Sequence, residues 1–212
     1  MMTAFCKKET IMRIKDLMIP DPITVSINST ISDALECMKV NSIRHLPVVS
    51  GDNELKGFVT LADLKQSLIP SMVGDLKLFD IMIKKPITVT PADDIEWAAQ
   101  LIYKKKISGL PVVKDQILVG IITESDILRA FINMMGILSN SSRIDAVVGN
   151  HPAAFKKAVQ IINDSGGDII NVGMTIQDDS KKTYYFRLSS CDTKPIKSAL
   201  EKAGITVQAA MD

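Results

Sequence analysis

A chain of 212 residues has room for two or three small domains, and its 46% hydrophobic content can fill their cores. The formal net charge is +1, without the basic excess of an electrostatic nucleic-acid binder, so nucleic acid is not an expected partner. No apolar run reaches the roughly eighteen residues of a membrane span, and the start, MMTAFCKKETI, is too short and polar for a secretory signal.

Cys6, Cys37 and Cys191 are scattered and odd in number, so they read as reduced thiols of a cytoplasmic protein. With no clustered ligands they define no metal site. Residues 1–11 read as a flexible extension, since recognisable patterning begins near Met12. From there the chain repeats itself. Asp16-Leu17-Met18 returns as Asp80-Ile81-Met82, Pro22-Ile23-Thr24-Val25 as Pro86-Ile87-Thr88-Val89, and Leu46-Pro47-Val48-Val49 as Leu110-Pro111-Val112-Val113. After a one-residue shortening of the loop, Gly57-Phe58-Val59-Thr60 and Asp63 return as Gly120-Ile121-Ile122-Thr123 and Asp126. The repeats span 12–70 and 71–133.

In chain order, Ile23–Ile27 is a short β-branched strand, and Ile31, Ala34, Leu35 and Met38 recur at helical spacing. Thr30 with Asp33 predicts an N-cap pair for that helix, and Asp93 with Glu96 predicts its counterpart. Leu46–Val49 and Leu55–Thr60 form a hairpin about the turn SGDNE, and Leu61–Ile69 is a closing helix. The second copy follows with a strand over Leu118–Thr123 and a helix over Ser125–Met134. Two half-sized units predict a pseudo-two-fold pair, each burying an apolar face against the other.

Residues 134–142 read as a linker, and 143–212 has a different grammar. Ile144–Val148 is a strand; Phe155, Ala158, Val159 and Ile162 share a helical face that Ser165-Gly166-Gly167 stops. Ile170, Val172, Met174 and Ile176 alternate, Gln177–Lys182 is a polar turn, and Tyr184, Phe186 and Leu188 alternate again. Ile196, Ala199, Leu200 and Ala203 make a second helix ended by Gly204, and Ile205–Val207 is the last strand. The order βαββαβ is that of the ferredoxin-like unit, so the whole chain is of mixed α+β and α/β class.

The Thr60-x-x-Asp63 and Thr123-x-x-Asp126 pairs stand where a strand turns into a helix. A carboxylate there can accept both hydroxyls of a ribose, and the helix N-terminus offers N–H groups to phosphate. Helix capping wants the same residues, and the spacing alone leaves both readings open. Ahead of the two Leu-Pro-Val-Val runs the copies differ: Arg44-His45 in one, Ser108-Gly109 in the other. Arg44 can make bidentate bonds to phosphate, and His45 can donate to phosphate with pH sensitivity. Ser108 offers one hydroxyl and Gly109 nothing.

The aspartate-apolar-methionine lead, "PITV", "LPVV" and the Gly-x-x-Thr-x-x-Asp stretch, in order and in duplicate, resemble the cystathionine β-synthase (CBS) domain family. The resemblance implies a paired module, the Bateman module, whose clefts bind adenosine-containing ligands such as AMP, ADP, ATP or S-adenosylmethionine. It also implies that each cleft draws on both copies. One would gather Ile23, Thr24, Val25, Arg44, His45, Pro47, Thr123 and Asp126, with the stronger demand for a phosphorylated nucleotide. The other would gather Thr88, Ser108, Gly109, Pro111, Thr60 and Asp63, with Ile87 and Val89 adding apolar wall, and would bind weakly, bind something less charged, or stay empty. The family often carries a basic residue before the ribose aspartate; here Ala62 and Ser125 stand there, with Lys65 and Arg129 nearby.

Residues 143–212 resemble an ACT domain, whose ligands sit near the first strand–helix loop, here Gly149-Asn150-His151-Pro152. His151 there faces either a ligand carboxylate or solvent. In architecture the chain resembles the bacterial acetoin-utilisation proteins of AcuB type. No nucleophile–base pair, glycine-rich phosphate loop or metal cluster points to an enzyme. The expectation is a non-catalytic regulator with no catalytic cofactor, its regulated partner unnamed by the sequence. It would dimerise through helix faces near Leu61–Leu68 and Ile127–Met135 and through exposed ACT-like edges. The other reading is a structural adaptor with degenerate clefts that bind no nucleotide.

Overall fold

Each repeat starts its longer central helix with a side-chain cap at equivalent positions, a threonine in the first and an aspartate in the second. In the computed structural model, which describes residues 12–67, 77–149, 151–178 and 181–212, Thr30 caps helix α1 (Ile31–Val40). Its hydroxyl accepts the Asp33 N–H at 3.1 Å, and the Asp33 carboxylate accepts the Thr30 N–H at 2.8 Å. The Thr30 backbone N–H, and then the Thr30 hydroxyl, hold the Asp33 carboxyl below the usual carboxylate range. In the second copy the cap of its long helix (Ile95–Lys105) is Asp94, which accepts the Glu96 N–H at 2.8 Å. The expected Asp93–Glu96 pairing does not form, because Asp94 directly precedes the first helical residue and reaches the free N–H first. Asp93 instead accepts the Thr90 N–H at 2.7 Å in the turn before. The segments beyond these ranges, including the 1–11 extension, Leu68 and Ile69, Asn150 and the tip of the 177–182 turn, lie outside the described residues.

The leading strand of the first repeat is shorter than Ile23–Ile27. Two strands precede α1: β1 (Ile19–Pro20) and β2 (Val25–Ser26). The hairpin of β3 (His45–Val49) and β4 (Leu55–Thr60) follows, closed by α2 (Leu61–Ser67). After α3 (Leu78–Ile81) and α4 (Ile95–Lys105) come β5 (Gly109–Lys114), β6 (Ile117–Thr123) and α5 (Glu124–Met134). β2 runs parallel to β3 with Val25 opposite Val48, and Val89 makes the matching parallel bridge to Val112. The Leu-Pro-Val-Val runs are central in their sheets, flanked on both sides, which is why they read as unbroken apolar stretches.

The repeats as runs of sequence are not the cores as packed. β1 pairs antiparallel with β6, Ile19 opposite Ile121, so the lead of the first repeat joins the sheet of the second. Reciprocally, Ile83 and Phe58 exchange backbone bonds at 2.9 and 3.0 Å, so the lead of the second repeat joins the sheet of the first. Ile14 is buried with Val89, Ile95, Leu110 and Ile122, while Leu78 and Met82 are buried with Leu46, Val48 and Val59. Two glycines make room for this exchange. A Cβ on Gly57 would fall 2.5 Å from Met82 Sδ, and one on Gly120 would fall 2.6 Å from Met18 Sδ.

The chain divides into two compact units, Met1–Leu128 and Arg129–Asp212, with the boundary inside α5. The second unit comprises β7 (Ser141–Gly149), α6 (Pro152–Asp164), β8 (Ile169–Asp178), β9 (Lys181–Ser189), α7 (Thr193–Lys202) and β10 (Thr206–Met211). Since α5 runs to Met134 and β7 starts at Ser141, the segment between them is shorter than the sequence predicts. The sheet order is β10-β7-β9-β8, antiparallel throughout. Ile144, Ala146, Val148, Phe186 and Leu188 pack on one face against Ala158 and Ile162 of α6 and Ile196 and Leu200 of α7. The alternate residues Arg143, Asp145, Tyr185 and Arg187 point to the other face. α6 ends at Ser165, where Gly166 takes φ +87°. β10 runs past the expected Val207, because a register shift between Val207 and Ala209 carries pairing on to Met211. Asp212 then accepts the Thr193 N–H at 2.8 Å and its hydroxyl at 2.7 Å, which lowers the Asp212 pKa. Among the described residues no helix is long and apolar enough to cross a membrane.

Candidate ligand-binding clefts

The Thr-x-x-Asp pairs occupy equivalent places at the starts of α2 and α5. Thr60 N–H donates to Asp63 Oδ2 at 2.9 Å, the Thr60 hydroxyl donates to the same oxygen at 2.7 Å, and Asp63 N–H donates to Thr60 Oγ1 at 3.3 Å. The Thr123–Asp126 distances are 3.0, 2.7 and 3.4 Å. This is reciprocal capping, and in both pairs it engages the same carboxylate oxygen, Oδ2. Capping and lining a cleft are therefore not alternatives here: Asp63 and Asp126 each also border a cavity.

The larger cavity, about 800 Å³, brings Thr60 and Asp63 of the first repeat against Ser108, Gly109 and Ile87 of the second. It also holds Lys85, Lys106, Tyr103 and Glu124, none of which sequence reasoning singled out. Lys85 directly precedes the "PITV" motif and Lys106 lies two residues before Ser108, so proximity to a recognised motif was the available signal. The smaller cavity, about 360 Å³, brings Thr123 and Asp126 of the second repeat against Ile23, Arg44 and His45 of the first. Asp21 and Ser125 complete its polar wall. Both volumes fall in the range of small-molecule sites.

Six expected residues border neither cavity. Val25 and Val89 are buried in the two hydrophobic cores, where they pair with the buried Val48 and Val112, while Ile23 and Ile87, two residues earlier and outside that pairing, border the cavities. Pro47 and Pro111 sit within β3 and β5, in register with Phe58 and Ile121. Thr24 is half-buried and Thr88 exposed, and neither belongs to a cavity wall.

The Arg44-His45 and Ser108-Gly109 pairs meet. His45 Nε2 lies 2.6 Å from Ser108 Oγ, and the His45 ring stacks on Phe58 with centroids 6.0 Å apart. A Cβ on Gly109 would fall 3.2 Å from His45 Cδ2, so the imidazole uses space that glycine leaves. Burial, then the Arg44 charge, depress the His45 pKa below its ordinary value, against the opposing pull of Glu124 and Asp126. The imidazole is thus neutral at pH 7, a hydrogen-bonding group rather than a fixed cation for phosphate. Arg44 also lines a third hollow of about 310 Å³ with Lys65, Thr60 and Glu124. Among the described residues, no three His, Cys, Asp or Glu side chains are grouped to hold a metal.

His151, the other flagged histidine, is the N-cap of α6: its Nδ1 accepts the Ala153 N–H at 3.2 Å. Cys37 and Cys191 are free thiols, and Cys6 lies outside the described residues.

Paired half-sites built from two exchanged repeats define a tandem CBS-domain pair. The CBS domain model matches residues 14–69 and 78–133, more than half of the chain, and the chain belongs to that family. A CBS domain-containing protein of Dictyostelium discoideum is 32% identical over 134 residues, which span 58% of this chain and 92% of that protein. A homoserine O-acetyltransferase of Methanohalobium evestigatum is 38% identical over 117 residues, 55% of this chain but only 23% of the enzyme's length. The chain thus spans about a quarter of the length of such enzyme relatives, and the likeness lies in the CBS part. Among solved structures, the CBS pair of protein MJ0100 in complex with 5'-methylthioadenosine and S-adenosyl-L-methionine is 33% identical, with a TM-score of 0.54 over 57% of this chain and 96% of that one. The AcuB protein of Vibrio cholerae, assigned to acetoin utilization, is 32% identical with a TM-score of 0.54, over 60% and 96% of the two chains. CBSX2 of Arabidopsis thaliana in complex with AMP is 30% identical with a TM-score of 0.51, over 57% and 96%.

Proposed function

We propose that the chain is a non-catalytic sensor that takes an adenosine-containing ligand in the clefts of its CBS pair. The observation that carries this is the cross-repeat assembly: each Thr-Asp pair borders a cavity whose opposite wall comes from the other repeat. A ligand seated there touches both repeats and favours one relative arrangement by its differential affinity. The relatives solved with S-adenosylmethionine, 5'-methylthioadenosine and AMP support the ligand class. The 800 Å³ cavity is the first site in this reading. Asp63 accepts the ribose hydroxyls, Ile87 and neighbouring aliphatics face the base, and Lys85 and Lys106 attract phosphate or carboxylate. This reverses the ranking drawn from the sequence. The small Ser108-Gly109 pair opens its cavity, while Arg44 and His45 partly fill theirs.

In the same reading, residues 143–212 form a ferredoxin-like, ACT-like regulatory domain, supported by the βαββαβ order and the β10-β7-β9-β8 sheet. The signal passes from the CBS pair to that domain or to a protein partner, in a cytoplasmic setting, with acetoin or related carbon metabolism suggested by the AcuB neighbour. Exposed apolar side chains on α5, Leu128 and Phe131, supply a face for homodimerisation, and the β8 edge supplies a second.

Thermal-shift titration with AMP, ATP and S-adenosylmethionine tests the reading. Saturation at a hundred to a thousand times Kd stabilises by about 2.7–4.1 kcal/mol. The adaptor reading is favoured by Ala62 and Ser125 standing where basic residues would strengthen polyphosphate binding; it predicts no shift with any of the three.

A further inference from the structure

The face of the second unit's sheet turned away from α6 and α7 carries a cavity of about 380 Å³, bordered by β7, β8, β9 and the 135–137 segment. Its floor contains two arginines in direct cross-strand register, Arg143 on β7 opposite Arg187 on β9. Like charges directly opposite on one sheet face repel, so such a pair needs neutralising. Arg143 is answered: its Nε and Nη2 each reach a carboxylate oxygen of Asp145 at 2.7 Å, and its guanidinium stands 5.2 Å from the Tyr185 ring centroid. Arg187 is not answered by an acid among the described residues. Its Nη1 donates to the Ser141 hydroxyl at 3.0 Å, a neutral partner. One half-buried guanidinium therefore borders the cavity without a counter-charge among the described residues.

A second observation concerns Gly173, in the middle of β8 and on the cavity wall. Glycine weakens a strand interior, and there it marks a bulge or a close approach. Gly173 lies in regular register opposite Tyr185 and does not have positive φ. A Cβ there would meet Tyr185 at 3.8 Å and Met135 Cε at 3.9 Å, ordinary contact distances. Nothing in the packing excludes a side chain at 173; its absence leaves the cavity open. Met135 and Ile137 form an apolar rim, and Asn171, whose amide donates to the Met134 carbonyl at 3.0 Å, adds polarity beside Arg187.

We propose that this cavity binds a small organic carboxylate: the anion on Arg187, aided by the outer edge of Arg143, and a short apolar body against Tyr185, Met135 and Ile137. Its lining shares no residue with the CBS clefts, and it does not depend on the nucleotide reading. The volume, near the lower end for small-molecule sites, limits the ligand to a few carbons beyond the carboxylate.

Calorimetric titration of the full chain with 3-methylbutanoate, its neutral amide 3-methylbutanamide and inorganic phosphate tests this. The acid should bind, the amide at least tenfold more weakly, and phosphate more weakly than the acid. Arg187→Gln should lower affinity for the acid at least tenfold, with Arg187→Lys intermediate. Gly173→Ala should weaken binding several-fold while leaving or raising the Tm, which separates loss of the cavity from loss of the fold. Absence of acid binding at millimolar concentration, equal binding of the amide or of phosphate, or undiminished binding by either Arg187→Gln or Gly173→Ala would overturn the assignment.

Discussion

Replacing Gly120 by alanine tests whether the clefts depend on the exchange of leading segments. The added Cβ falls 2.6 Å from Met18 Sδ and 3.1 Å from the Ile19 carbonyl oxygen. Comfortable carbon contacts begin near 3.5 Å, so the sulfur must retreat by about 1 Å. Met18 can swing, but the Ile19 carbonyl is held in register against Ile121 and gives less. Overpacking of this kind costs about 1–3 kcal/mol, and the lower chain entropy of alanine in the unfolded state returns about 0.4–1 kcal/mol. The net loss is about 1–2 kcal/mol, or about 3–10 °C in Tm for a unit of this size. Because Ile19, Asp21 and Ile23 border the 360 Å³ cavity, displacement of β1 should also impair that cleft. Gly57→Ala, which meets Met82 Sδ at 2.5 Å and the Ile83 carbonyl at 3.2 Å, should behave alike, whereas Gly51→Ala, with nothing within 4 Å, should shift stability by less than about 0.5 kcal/mol. Urea unfolding of the three variants reads this out. If all three were equally stable, the reciprocal pairing would not be what those glycines serve.

Further outcomes follow from the same geometry. Asp63→Ala should abolish most of the AMP-induced Tm rise measured relative to the variant's own baseline, and Asp126→Ala should remove less of it; equal rises in all three proteins would refute the diol role. Stability should show the His45 signature. Its pKa is lowered on folding, so its contribution is complete above the unfolded value near 6.5 and is lost as pH falls below that. His45→Gln should therefore narrow the stability difference between pH 7.5 and pH 5, and parallel pH profiles would count against the buried neutral imidazole. Thr183 buries a hydroxyl with no hydrogen-bond partner among the described residues, so Thr183→Val should stabilise the second unit by about 1 kcal/mol in urea unfolding; a clear loss would reveal a partner for that oxygen.

Local features were legible where one stretch of chain determines them. The Thr30–Asp33 cap, the Leu55–Thr60 strand and the Thr-x-x-Asp turns lie where periodicity and spacing place them, since each depends on residues three or four apart. Partner choice was not legible. Nothing about Asp16-Leu17-Met18 says that it packs on β6 rather than on its own hairpin, because an apolar segment has the same pattern whichever sheet accepts it. The valines of "PITV" are buried for a related reason: the motif names a strand near a cleft, and only the Val25–Val48 and Val89–Val112 pairings show where the chain enters the sheet and leaves Ile23 and Ile87 at the cleft. Lys85, Lys106 and Glu124 carry no pattern of their own and become cleft residues only through the fold.

The difference ahead of the two Leu-Pro-Val-Val runs has a packing cause that decay does not supply. Where two copies of a unit pair reciprocally, equivalent positions near the line of symmetry face each other and compete for the same space. His45 and Gly109 are such positions: a Cβ at 109 would already stand 3.2 Å from the His45 ring, which leaves no room for a second imidazole. One copy must be large there and the other small. Arg44 and Ser108 divide their shared region in the same way, with Ser108 supplying the hydroxyl that His45 engages. The unequal cavities follow: the large residues consume volume on their own side, while Ser108 and Gly109 open about 800 Å³ on theirs. One hydrogen bond, between His45 and Ser108, then joins the wall of the small cavity to that of the large one. On the proposed reading, a ligand that moves Ser108 would strain or release His45, which would couple the two clefts within the CBS pair itself.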